Sequence, residues 1–198
     1  MNTTLMVRID GVKPTQGALG LEHVREKMAM TGEHSADTLP SFLRDHALRA
    51  VRGPGGSLHV IDHHHWARAW YELGFREAPV CVDCDFSALP PDEFIEAMNA
   101  RGWFHPYDER GRPTSVERLP DTIAAMPDDP YLSIAAFARM AGVFEDPPEF
   151  NAKFAWADFF RTRVSGDFGT ISGFAKALAQ AIATSSDAAA RRLPGLIA

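Results

Sequence analysis

The stretch Val60-Ile61-Asp62-His63-His64-His65-Trp66-Ala67-Arg68-Ala69 decides how this chain is read. Leu58 to Ile61 is a short apolar run suited to a strand. Asp62 then opens a helix through about Gly74, a residue suited to closing one. The first N–H groups of such a helix point outward, and the helix dipole adds partial positive charge there, so the spot suits a phosphate or another anion. Imidazoles beside it can donate to phosphate oxygens or carry protons near neutral pH. Asp62 can hold Mg2+, a hard cation that takes carboxylate oxygen and keeps several waters. Arg68, four residues after His64, shares its face as a further anion contact. Consecutive helix residues point about 100° apart, so His63, His64 and His65 cannot all face one ligand. The plain alternative is that Asp62 only caps the helix and the histidines are solvated or packed.

Working outward, Thr3 to Asp10 alternates like a first strand, and residues 11–17 read as a turn-rich connection. Leu19 to Met30 has helical spacing, and Ser35 to Arg49 reads as a second helix with a start delayed by Pro40. Val51 to Ser57 is a dense turn whose glycines supply positive φ ahead of the strand at residue 58. Pro79 to Phe86 reads as a strand, and a helix follows from Pro90 to about Arg101. Beyond residue 120 the pattern is all helical. Asp128-Asp129-Pro130 starts one helix, Glu149 to Val164 carries a second, and Ile171 to about Ala183 a third. The aromatics of this half are expected to pack on the first half, and the chain from Ser185 onward to fray. The fold class expected is α/β (α+β): a small mixed sheet with helices over residues 1–118, then an all-α part over 119–198.

Composition narrows the function. The chain has 198 residues, with Lys+Arg 20 against Asp+Glu 26, a formal charge of −6, and neither half is net basic. A large footprint of phosphate contacts to nucleic acid is therefore not visible. The eight histidines all lie between His23 and His105. The N-terminus lacks the basic start and apolar stretch of a secretory signal, and no apolar run nears the roughly 18 residues of a membrane span, so a cytoplasmic setting is expected. Cys81 and Cys84 are the only cysteines. With His59 and the triplet they form the pool for a zinc site, but strand alternation over 80–86 would put the two thiols on opposite faces.

Several segments together resemble the ParB/sulfiredoxin superfamily, in its branch named ParB-like nucleases. They are residues 60–69, Lys13-Pro14-Thr15-Gln16, Gly20 to Lys27, Gly53-Pro54-Gly55-Gly56, Asp128-Asp129-Pro130-Tyr131 and Phe154 to Arg161. The resemblance implies a compact sheet with a phosphate-binding loop and helix, used across the superfamily on ATP, ADP or CTP. Asp62, His64 and His65 match an Asp-Gly-His-His-Arg element of free-serine kinases, while His63 replaces its Gly and Trp66 its Arg. Losing the glycine restricts close backbone approach, and losing the arginine removes a bidentate phosphate donor. The kinase-like members also place a carboxylate base near the start of the first helix, for which Glu22 and Glu26 are the candidates here. Lys27, Gln16 and Thr15 are candidates to line the same pocket. Asp129 and Trp156 read as structural.

The expected function is phosphodiester hydrolysis or phosphoryl transfer, with Asp62, His64, His65 and Glu22 as catalytic groups. His63, Trp66, Arg68, Lys27, Gln16 and Thr15 would contact the phosphate or nucleotide, and Asp62 would hold Mg2+. The expected partner is a nucleotide or phosphorylated small molecule. The alternatives are a sensor that binds without turnover and, less favoured by charge, a partition-type DNA-binding protein.

Overall fold

The structure is a computed structural model that describes residues 4–147 and 152–197. Two compact units divide it: Met1–Leu19 with Val24–Asp128, and Gly20–His23 with Asp129–Ala198.

The first unit is built on five strands: β1 (Thr4–Arg8), β2 (Val12–Pro14), β3 (Leu48–Arg52), β4 (Leu58–Asp62) and β5 (Glu77–Asp85). Their order is β1-β5-β3-β4-β2. β1 runs antiparallel to β5 and β3 antiparallel to β4, whereas β2–β4 and β3–β5 are parallel, so the sheet is mixed. The helices are α1 (Leu21–Gly32), α2 (Leu39–Asp45), α3 (His64–Glu72) and α4 (Pro91–Ala100). α4 places Phe94 and Met98 against Val51, with Ile61, Phe86 and Trp103 around them. Trp70 of α3 is fully buried, and its indole N–H donates to Thr31 of α1. This is the expected α+β class.

Two expectations are corrected in this unit. The segment 11–17, read as a connection, contains β2, which pairs with β4 through Val12, Lys13 and Pro14. Three residues are too few to show a period. The second helix is shorter than read: α2 stops at Asp45, and Leu48 to Arg52 is β3, the middle strand. Leu48, Ala50 and Val51 are buried there, and burial on the sheet outweighs the helical tendency of Ala and Leu. The glycine turn behaves as expected, with Gly55 at φ 68° and Gly56 at φ 80° linking β3 to β4. The pairing of β3 with β5 shifts register: Arg49 faces Cys81 and Ala50 faces Val82, but Val51 faces Cys84. Asp83 is the extra residue, so the simple alternation that put the two thiols on opposite faces does not hold across it. Among the described residues, no group of three or more His, Cys, Asp or Glu is placed to hold a metal ion.

The second unit carries α5 (Pro130–Met140), α6 (Ala152–Arg161) and α7 (Ile171–Thr184). Asp129 caps α5 by accepting from the Tyr131 N–H, with Pro130 at the first turn, as the sequence indicates. Its carboxylate also receives both arms of Arg161, at 3.1 and 2.7 Å, and it is 2% exposed, so its role is structural. Trp156 is buried against Phe144 and Phe160. The chain after Ser185 does not fray as expected. The Trp156 indole N–H donates to Pro194 O, Glu145 N–H to Gly195 O and Ile197 N–H to Val143 O, which ties the segment down. Thr3 and Glu149 to Asn151, read above as parts of a strand and a helix, lie outside the described residues. No helix of the described residues is long and apolar enough to cross a membrane.

Candidate functional site

The chain leaves β4 at Asp62 and enters α3 at His64, with His63 between them in the left-handed conformation, φ 70° and ψ 25°. Among the described residues, it is the one non-glycine at positive φ. Such a conformation is uncommon for a side chain larger than glycine and marks a position held by its surroundings. What holds it is visible. His63 Nδ1 lies 2.8 Å from Ala47 O and 3.2 Å from His46 O, the carbonyls just past α2. Both partners are acceptors, so Nδ1 carries the proton. A glycine would take this turn without help; here a histidine takes it by tying the turn to the end of α2.

This geometry corrects the expectation that Asp62 opens the helix. Asp62 ends β4 and stays exposed, and the N-cap position belongs to His63, whose own side chain makes no capping hydrogen bond. The Asp62 carboxylate accepts one hydrogen bond, from the His63 N–H at 2.7 Å. It is not consumed as a cap. One exposed carboxylate fits an Mg2+ ion that keeps its waters and takes its remaining ligands from a phosphate.

His64 and His65 are buried, at 4% and 6% exposure. The Thr15 N–H donates to His64 Nε2 at 3.1 Å, and the Thr15 hydroxyl donates to Val60 O at 2.8 Å. Nε2 is therefore an acceptor, and the neutral ring carries its proton on Nδ1. The segment after β2 is thus locked to both β4 and α3 through Thr15. Gln16 continues that segment, with its side-chain amide donating to Ala18 O, while its backbone bridges to His105. Gly17 follows, where a Cβ would lie 2.1 Å from Tyr107 O, so no other residue fits.

Trp66 is 4% exposed and forms the floor of an aromatic group. His46 lies 4.5 Å from it, Phe42 5.3 Å and the Lys27 ammonium 4.4 Å over its ring. His34 stacks on Phe42 at 4.0 Å. The cation–π contact gives Lys27 a place beside α3. Arg68 is committed elsewhere: Nε meets Glu72 at 2.6 Å, and one terminal nitrogen donates to Ile123 O and Met126 O. It fastens the segment 123–126 to α3. Glu22 lies in the first turn of α1, within the residues 20–23 that belong to the second unit, whereas Asp62 to Arg68 belong to the first.

The structure thus brings together Asp62, His63, His64, His65, Trp66, Thr15 and Lys27 around one strand-to-helix turn. Sequence reasoning missed His46 and Phe42, which frame Trp66, and Arg49, which pairs with Asp62 across β3 and β4. All three lie in the segment read as one long helix, so nothing in its spacing pointed to this turn. A cavity lined by Arg8, Asp10, Tyr71, Phe75 and Arg76 lies at the other end of α3 and shares no residue with the β4–α3 turn.

Comparison with known families bears on this geometry. The family described as "Putative ParB-like nuclease" matches residues 5–162. The chain belongs to the ParB-like nuclease family. A solved structure, the crystal structure of protein Atu1540 from Agrobacterium tumefaciens, is 32% identical, covers 98% of both chains and superposes with a TM-score of 0.88. A conserved hypothetical protein from Pyrococcus furiosus is 14% identical over 50% of this chain and 45% of its own, with a TM-score of 0.32. No curated protein matches the sequence. The matched span of the ParB-like nuclease family includes the whole β4–α3 turn, the Thr15 segment and α2.

Proposed function

We propose that this ParB-like protein binds the phosphate of a nucleotide such as ATP, ADP or CTP, or of another phosphate ester, at the β4–α3 turn, and catalyses phosphodiester hydrolysis or phosphoryl transfer. The observation that carries this reading is the turn itself. A left-handed residue whose side chain does not cap the helix turns β4 into the start of α3, beside an exposed carboxylate that accepts one hydrogen bond from the neighbouring N–H. Asp62 is the group that would hold Mg2+, which supplies positive charge to phosphate oxygens. His64 and His65 would stabilise phosphate charge or relay a proton. Lys27, Trp66, Thr15 and Gln16 shape the wall, and Arg68 braces α3. Chemistry of this kind is largely positioning and electrostatics, so few groups suffice.

The test is binding first. Titration calorimetry with ATP, ADP and CTP, with and without MgCl2, should give Mg2+-dependent binding that Asp62→Asn weakens at least tenfold. Absence of any nucleotide binding would sink the reading.

A second reading, a sensor that binds without turnover, has its own observation. His64 Nε2 and His63 Nδ1 are both engaged by backbone groups, which limits the imidazole nitrogens available to move protons. Binding with no product from nucleotides or nucleic acid would favour it. Partition-type DNA binding is disfavoured by the −6 charge, and salt-dependent binding to duplex DNA would revive it.

A further inference from the structure

Asp62 does not stand alone on its ladder. Its register partner on β3 is Arg49, at the point where the β3–β4 ladder shifts register between Arg49 and Ala50, leaving Ile61 as the extra residue, and the Asp62 carboxylate is near enough to act on the Arg49 guanidinium. Arg49 is half exposed, 54% by side chain, while its partner Asp83 on β5 is only 14% exposed. Asp83 Oδ2 receives two hydrogen bonds from the same guanidinium, from Nε at 3.0 Å and from a terminal nitrogen at 2.5 Å. The Asp83 and Asp62 carboxylates together hold the Arg49 guanidinium firmly in its charged form, the hydrogen bond that Arg49 donates to Asp83 being the larger cause. A guanidinium has five N–H donors in a fixed fork, and Asp83 occupies its Nε side. The outer edge, made by the two terminal nitrogens, keeps donors for a two-point contact with a phosphate.

The other cations around the turn are placed differently. Arg68 is spent on Glu72 and two carbonyls, Lys27 lies over Trp66, and the ring nitrogens described for His63 and His64 serve backbone groups. The Asp83 that holds Arg49 is the extra residue of the β3–β5 register shift, and such bulges re-aim side chains next to sites.

We propose that Arg49 is the phosphate-binding arginine of the Asp62 site and that Asp83 is its positioning residue. The inference rests on the reading that a phosphate binds with Mg2+ at Asp62, and it adds the residue that recognises the non-bridging phosphate oxygens. The ligand class follows: a di- or triphosphate, long enough to meet the ion at Asp62 with one phosphoryl group and the Arg49 fork with another.

The experiment is calorimetric titration of the full chain with MgATP and with magnesium pyrophosphate. Arg49→Lys keeps the charge and removes the fork, so it should weaken both ligands at least tenfold. Arg52→Lys is the control, because Arg52 makes the same kind of cross-strand pair, with Asp85 at 3.5 Å, at the other end of β3. It should leave affinity unchanged. Asp83→Ala should weaken binding in the wild-type background and add no further loss on top of Arg49→Lys, a non-additivity that a merely structural role would not produce. Equal affinity for wild type and Arg49→Lys overturns the inference and leaves phosphate binding at Asp62 standing. Equal losses from Arg49→Lys and Arg52→Lys also overturn it. If wild type binds neither ligand, the phosphate reading fails and takes this inference with it.

Discussion

His63 Nδ1 lies 2.8 Å from the carbonyl oxygen of Ala47, and this contact joins the end of α2 to the turn that starts α3. It also explains how a histidine occupies a backbone conformation that suits glycine. Strain in the left-handed region is offset by hydrogen bonds from the same residue, so strain and bonds can be separated by substitution.

His63→Ala keeps the strained φ and loses the ring, whereas His63→Gly loses the ring but relaxes the backbone. Ala should cost about 1–2 kcal/mol, the lost part-buried hydrogen bonding alone because the left-handed strain is common to both proteins, and Gly about 1 kcal/mol less than Ala because it relieves that strain. Urea denaturation of the three proteins measures this order. If Ala proves as stable as Gly, positive φ is not what the His63 ring compensates.

His64 is the acceptor for a buried backbone donor. His64→Ala removes it and strands the Thr15 N–H, which should cost about 2–4 kcal/mol from the unsatisfied donor and the cavity together. His64→Gln offers a side-chain oxygen in its place and should recover part of the loss. Hydrogen exchange at the Thr15 amide gives the residue-level check, since its protection should collapse in His64→Ala and return in His64→Gln. Unchanged protection in the alanine variant would show that the Thr15 amide draws its protection from elsewhere.

How far the sequence shows all this depends on chain distance. The Asp129-Pro130 cap and the Gly74 stop, where φ is 83°, involve residues close in sequence and were legible as written. The Thr15–His64 bond spans 49 residues and the His63–Ala47 contact 16, and neither leaves a local trace. β3 is the sharpest case. Leu48-Arg49-Ala50-Val51 carries residues fit for either a helix or a buried strand, and only pairing with β4 and β5 decides it. Arg49 reads from sequence only as the last residue of a helix, and its place opposite Asp62 became visible only with the register. The Asp62-to-Trp66 turn was located from sequence, but the roles within it shifted. Asp62 is released from capping, while His63 became the residue that shapes the turn.

His59 gives a pH dependence with a definite sign. Burial, with a smaller contribution from Lys13, pushes its imidazole down from 6.5 to about 4. Between those values the unfolded chain binds the proton and the folded chain does not, so stability rises with pH through this window. The contribution is complete above pH 6.5 and is lost progressively as pH falls toward 4. Its size is on the order of 2 kcal/mol, after allowance for the ring's partial contact with solvent. Carboxylates also titrate at the acid end, so the readout is the difference between wild type and His59→Gln. Urea midpoints at pH 7.5, 5.5 and 4.5 should converge as pH falls. Parallel curves would mean that His59 does not titrate differently in the two states.

Asp62 separates function from stability. Its carboxylate is exposed and accepts a single hydrogen bond from the adjacent His63 N–H, so Asp62→Asn, which retains an acceptor oxygen, should change stability by less than about 0.5 kcal/mol. The same change removes the charge that would hold Mg2+, so Mg2+-dependent nucleotide binding should fall by at least tenfold while binding measured in EDTA stays the same. Thermal melts with and without MgATP report both effects at once. Wild type should be stabilised by MgATP, whereas Asp62→Asn should melt near the wild-type apo temperature without ligand and gain a smaller shift than wild type from MgATP. A variant that is stabilised as much as wild type would move the metal away from Asp62. One that melts far below the apo wild type would mean that the carboxylate holds the turn together, a burden its single neighbouring contact does not predict.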